Sequence, residues 1–267
     1  MPRDAAMATS AAKPAALRTT ALRTTALIRH NVRLLLAEPG PLLSRLIVPL
    51  GFLALMRPLL VATQGQKAGT EQAVIGALVT FSLLGLNIVG GAVLAERMQR
   101  TWDRIRATAA RPAELLAGKA LPVMAALLAQ QAVVLGFGIA VLGVHVGAPA
   151  LLFAVCLAWT AALLAIGTAL GVTARSFGEL SLGYDIGGML LSTLGGAFVP
   201  LTTLPGWIQD IAPVSPGYWA VSAFRGALHG DTGTTLPACG MLLLFAAAAA
   251  ALAAHRLGRG AARPDRM

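Results

Sequence analysis

Charge is scarce in this chain: of 267 residues only 12% are Asp, Glu, Lys or Arg, about half of the quarter usual in soluble proteins. With 57% apolar residues and 29 glycines besides, so little charge could not keep a globule dispersed in water, and lipid is the solvent the composition fits. The two cysteines, Cys156 and Cys239, have no CxxC spacing and no neighbouring histidine; a metal motif or disulfide framework is not indicated, and two buried free thiols are expected. His30, His145, His229 and His255 are scattered and Asp185 stands alone in its apolar run. The clustered Asp, His or Ser of a membrane-embedded enzyme is therefore missing, as are the paired intramembrane carboxylates of an ion-coupled carrier. No G-x-x-x-x-G-K-[ST] segment is present to cradle nucleotide phosphates, so no catalytic, cofactor or metal residue is assigned.

What is present is a series of long apolar runs. A hydrocarbon core of about 30 Å needs about 20 helical residues at 1.5 Å each. Six runs qualify, at about 42–62, 73–95, 120–142, 149–172, 180–203 and 236–254. The expected fold is an all-α integral membrane protein, a single permeating domain over 1–267. No interval between runs reaches the 100 or so residues of a separate soluble domain. Basic residues continue through Arg33 and the first apolar run is late and long, unlike a cleaved signal peptide. If the N-terminus is cytoplasmic, the 1–41, 96–119 and 173–179 segments and the 255–267 tail hold 17 Lys and Arg, against Lys67 and Arg225 outside. That asymmetry predicts cytoplasmic N and C termini, and it argues against nucleic acid as the partner behind the net charge of +10.

The segments between runs have character of their own. Residues 16–37 carry the repeat ALRTTALRTTAL and read as a basic amphipathic helix lying on the inner leaflet. In the 96–119 loop, Met98, Trp102 and Ile105 recur at helical spacing, with Glu96 and Arg100 on the charged face. A short charged helix facing the cytoplasm suits docking into a groove of a soluble partner. The outer 204–235 segment is nearly uncharged and rich in proline and tryptophan. Ser215-Pro216 is a cap and first position for a helix over about 216–228, with Val221, Phe224 and Leu228 on one face. Broken helices at the outer interface, dipping part-way into the leaflet against protein or water, are expected here.

These pieces together resemble the type-2 permeases of bacterial ATP-binding-cassette exporters, particularly the drug-resistance permeases of the daunorubicin-resistance type. The resemblance is most specific from Gly195-Gly196 through Pro200, Pro205-Gly206-Trp207, Pro213 and Pro216 to Ala223-Phe224-Arg225-Gly226-Ala227-Leu228. The Glu96-Arg97 to Pro112 and Gly118-Lys119 loop is similar to the family's coupling helix, and Glu38-Pro39 to Pro49 to its entry into the first span. The chain departs from the pattern at Arg100, where such loops often carry glycine before Thr101. The resemblance implies a bacterial inner-membrane subunit that pairs with a second permease chain, identical or related, and with two cytoplasmic ATPase subunits that hold ATP and Mg. It implies that Glu96, Arg97, Arg100, Thr101, Trp102, Asp103 and Arg104 take up the ATPase stroke. It also implies export of hydrophobic drug-like or lipid-like molecules; a glycan or polymer permease of the same architecture, or an ion-coupled secondary transporter, is the alternative.

A charge near the bilayer centre needs a partner or a wet cavity. Arg45 and Asp185 fall at similar depth near the inner ends of the first and fifth runs, and a pair between them is one expectation, snorkelling to the interface the other. Asn87, Gln130 and Gln131 are candidates for a substrate path or for hydrogen bonds joining helices. The Gly-Gly pairs at 90–91, 187–188 and 195–196 are expected at close helix contacts.

Overall fold

The computed structural model describes Arg29, residues 39–98 and residues 112–261. The expected 16–37 helix apart from Arg29, Arg100 to Arg104 of the coupling loop and the end of the basic tail lie outside the described residues. Among those described there is no strand. Six long helical stretches are α1 (Pro39–Gln64), α2 (Gln66–Leu84) continued by α3 (Leu86–Met98), α4 (Pro112–Ala140), α5 (Pro149–Thr173), α6 (Phe177–Leu194) and, at the end, α9 (Thr232–Ala261). Between α6 and α9 come a 3-10 turn at Leu201–Thr203, α7 (Gly206–Ile211), a second 3-10 turn at Ala212–Val214, and α8 (Pro216–His229).

Five of these are long and apolar enough to cross a membrane: Leu43–Gln64, Gln66–Met98, Ala120–Ala140, Pro149–Thr173 and Thr232–Leu257. The expected fifth run is shorter in the structure than in the sequence reading. The helix occupies Phe177–Leu194 rather than 180–203, because Gly195 caps it and Gly196 turns the chain at φ 74°. It starts where Ser176 accepts from the Glu179 amide while the Glu179 carboxylate accepts from the Arg175 amide. Glu179 and Asp185 lower its hydropathy, yet α6 still runs from one end of the bundle to the other. Leu180 packs with Leu94 and Ala174 at one end, and Gly195 lies on the Gly217 backbone at the other.

The α2–α3 rod is the centre of the bundle. Every residue of α2 from Gly69 to Thr80 is buried, so its sequence carries no amphipathic period, as a helix packed on all sides should not. Around it α1, α4, α6 and α8 pack, and α5 is held between α3 and α9. The core joins Leu53 of α1, Ile75 and Leu78 of α2, Leu127 of α4, Trp159 and Leu163 of α5, Phe224 of α8 and Leu242 of α9. α3 and α5 approach closely enough that a side chain on Gly171 would strike the Gly90 carbonyl, and one on Gly167 would strike Val89. Small residues of this kind let helix backbones meet where lipid supplies no hydrophobic drive. Both cysteines are free thiols, Cys156 buried and Cys239 half-buried.

Candidate functional site

The charged side chains that bridge helices gather at the two ends of the bundle. At the end where α1 runs into α2, three consecutive polar residues, Thr70, Glu71 and Gln72, are buried on the second turn of α2. Gln72 donates through Nε2 to the carbonyls of Gly196 and Ala197 at 2.7 and 3.0 Å. Its Oε1 accepts from Arg225 Nη2 at 2.5 Å. Only this orientation of the amide satisfies both sides, since its nitrogen can only donate and its oxygen only accept. Glu71 Oε2 lies 3.0 Å from His229 Nε2, and Arg57 donates to Thr70 Oγ1 at 3.2 Å. One turn of α2 is thus tied to α1, to the chain after α6 and to α8. The approach is tight: a Cβ on Gly76 would overlap the Ala197 carbonyl.

α8 presents Arg225 and His229 because its first turn is anchored. Ser215 accepts from the Gly217 amide at 3.0 Å and donates to the Leu191 carbonyl at 2.6 Å, capping α8 and fastening it to the end of α6. Val221, Phe224 and Leu228 face the core. Gly230, at φ 72°, closes the helix in the left-handed conformation that glycine adopts without strain. The Gly147 amide of the α4–α5 loop donates to the Leu228 carbonyl at 2.7 Å. Beside this corner is a cavity of about 550 Å³ lined by Tyr218, Ser222, Arg225, His229, Asp231 and Thr234. Desolvation by the surrounding helices lowers the Arg225 pKa, and the Glu71 carboxylate opposes that shift. Asp231 is held below its ordinary value by hydrogen bonds from the Thr234 hydroxyl and amide and from the Gly233 amide.

The other end is simpler. Glu96 and Arg97 lie in the last turn of α3. Arg97 Nη1 donates to the carbonyls of Gly171 and Ala174, both at 2.9 Å. These are among the last carbonyls of α5, which have no partner within their own helix, and the negative end of its dipole favours a cation there. The start of the 96–119 loop is therefore clamped to the C-terminus of α5.

The remaining expected residues are distributed as follows. Pro200 precedes the first 3-10 turn, Pro205 caps α7, Gly206 and exposed Trp207 begin it, Pro213 lies in the second 3-10 turn, and Pro216 is the first residue of α8. Arg45 and Asp185 form no ion pair among the described residues. Arg45 lies beside Gly85 and near Tyr184, whereas Asp185, one residue further round α6, is exposed; adjacent helical positions differ by about 100° in direction. Gln131 donates to Thr160 Oγ1 at 2.8 Å, and that hydroxyl donates to the Cys156 carbonyl, so Gln131 joins α4 to α5. Gln130 is buried beside it and Asn87 is exposed on α3; neither lines the cavities described here. Sequence reasoning missed Glu71, Gln72 and His229. Thr70-Glu71-Gln72 reads as loop, and its only signal is three polar residues directly abutting an apolar run.

A bundle of this kind, with five helices of membrane-crossing length and composition, defines a multi-pass membrane protein. Residues 23–229 match the ABC-2 type transporter family, and the chain belongs to it: it is the membrane component of a transporter. No curated protein matches the chain. The family match ends at His229 and so takes in the whole Arg225 and Glu71 network.

Proposed function

We propose that this chain is the permease subunit of a bacterial ATP-driven exporter that moves hydrophobic, drug-like or lipid-like molecules. In this reading α6 is the fifth of six spans, both termini are cytoplasmic, and α7 and α8 form the broken segment at the outer interface. Two permease chains assemble with two cytoplasmic ATPase subunits, which supply ATP and Mg. The helix over 96–106 docks on the ATPase, and nucleotide-driven closure pushes on it.

The observation that carries this reading is the Arg97 clamp. A push on the 96–119 loop reaches α5 directly through two charge-assisted hydrogen bonds and the glycine contact of α3 with α5. α5 packs against α9 along much of its length, so the stroke is delivered to three helices moving as one body. Switching by rigid-body motion of packed elements is a common device.

The test is purification of the tagged protein from its native membranes in mild detergent, with mass spectrometry of its companions and an ATPase assay. A co-purifying ATPase with a nucleotide-binding P-loop is expected, lost on Trp102→Ala with Asp103→Ala. Arg97→Ala is expected to retain the ATPase but lower hydrolysis stimulated by hydrophobic cargo. A protein recovered alone from several detergents would overturn the reading.

A further inference from the structure

A second cavity, of about 430 Å³, lies between α1, α2 and the chain after α6, within the size range of sites that hold small organic ligands. Its walls are apolar, with Phe52, Met56, Leu60 and Phe198 among them, and no charged side chain lines it. Phe52 meets Phe81 and Phe198 edge-on at 5.4 and 5.6 Å, which fixes the aromatic wall. One polar group is left over. Gln64, the last residue of α1, lines the cavity, and its Nε2 is buried without a hydrogen-bond partner. The nearby Thr63 hydroxyl donates back to the Leu59 and Leu60 carbonyls of its own helix and does not accept from Gln64. A buried donor without an acceptor is costly, so the cavity is chemically incomplete as it stands.

We propose that this cavity binds one acyl chain of a membrane lipid, whose ester carbonyl accepts from Gln64 Nε2. Three features select that occupant. The apolar walls suit a hydrocarbon chain, and the lack of charge turns away a headgroup. An ester carbonyl is an acceptor with no donor of its own, which is what the orphan N–H requires. Depth agrees as well: Gln64 closes a helix of membrane-spanning length, and the edge of the hydrocarbon core, where α1 ends, is where ester groups sit. The α1 face beside the cavity is itself apolar and open, with Leu55 75% and Leu59 58% exposed, so a chain can enter sideways from the bilayer. The inference does not depend on what the transporter exports.

The test uses the full-length protein in vesicles of phosphatidylethanolamine and phosphatidylglycerol, doped with a phosphatidylethanolamine carrying a photoactivatable diazirine in one chain. An ether-linked version of the same probe lacks the carbonyl. The peptide over 197–203 is expected to label more with the ester than with the ether probe, by roughly two- to tenfold, the range of one neutral hydrogen bond. Gln64→Leu should abolish that preference. Thr63→Trp, which fills the cavity, should reduce labelling of 197–203 while leaving exposed Leu243 and Leu244 on α9 labelled as before. Equal labelling by the two probes in the unmodified protein, or a preference that survives Gln64→Leu, would overturn the proposal.

Discussion

The two ends of the bundle are built differently. At the Arg97 end, α3 and α5 meet backbone to backbone through Gly90, Gly167 and Gly171, and a single guanidinium closes the contact. At the Arg225 end backbones also meet closely, Gly76 on Ala197 and Gly195 on Gly217, but there the helices are joined in addition through long side chains, Gln72, Arg225, Glu71 and His229, with cavities of about 550 and 430 Å³ beside them. Close-packed backbones have few ways to rearrange, whereas side-chain networks bordering space can exchange partners at modest cost. The first end is suited to carrying a push, the second to changing shape in response.

The sharpest break of this contrast is a side chain forced into the α3–α5 contact at the Arg97 end. Gly171→Leu places a Cβ 2.5 Å from the Gly90 carbonyl oxygen and should destabilise by about 3 kcal/mol or more. It is expected to abolish monodisperse protein on gel filtration, while Gly136→Leu, with open space at its Cβ, leaves the profile unchanged. At the networked end Gln72→Leu strands two carbonyls and a guanidinium, and a loss of about 1–3 kcal/mol should appear as a lower thermal unfolding midpoint. Adding Arg225→Met should recover part of it, since the stranded charge is then gone. If Gln72→Leu alone were silent, the two ends would not differ as described.

Between the ends, a double-mutant cycle of Gln131→Leu with Thr160→Val should give a coupling of about 1 kcal/mol, as for other hydrogen bonds between membrane helices. The smallest effect concerns Asp231, which caps α9. Its pKa is lowered on folding, so its contribution is complete above the ordinary value of 3.8 and disappears as pH falls through the lower folded value. Acid unfolding curves of the native protein and of Asp231→Asn should therefore converge at the lowest pH and separate above it.

Five of the six long apolar runs were legible because length and composition alone define them, and the Ser215-Pro216 start of α8 because capping is local chemistry. Rotation of the helices was not legible. A helix buried on all sides, such as α2, has no polar face from which to read which residues meet which neighbour, and the Arg45 and Asp185 pairing failed for that reason: similar depth says nothing about direction. The extent of α2 was misjudged because Thr70, Glu71 and Gln72 look like solvated loop until Gly196, Ala197 and Arg225, more than a hundred residues later, supply their partners. The Arg97 clamp had a local hint, a basic residue closing an apolar run, but its acceptors lie on a helix that only the fold brings near.

The hydrogen bond from Gly147 to Leu228 also has a meaning in time. A chain made from its N-terminus can form the Arg97 clamp once Ala174 has emerged, but the Gly147 amide and Gln72 must wait for residues 196 to 228. The Arg97 clamp can therefore form before the Gln72 network does. A chain cut short before α8 would leave Glu71 and the Gly147 amide without the His229 and Leu228 partners they have in the complete bundle.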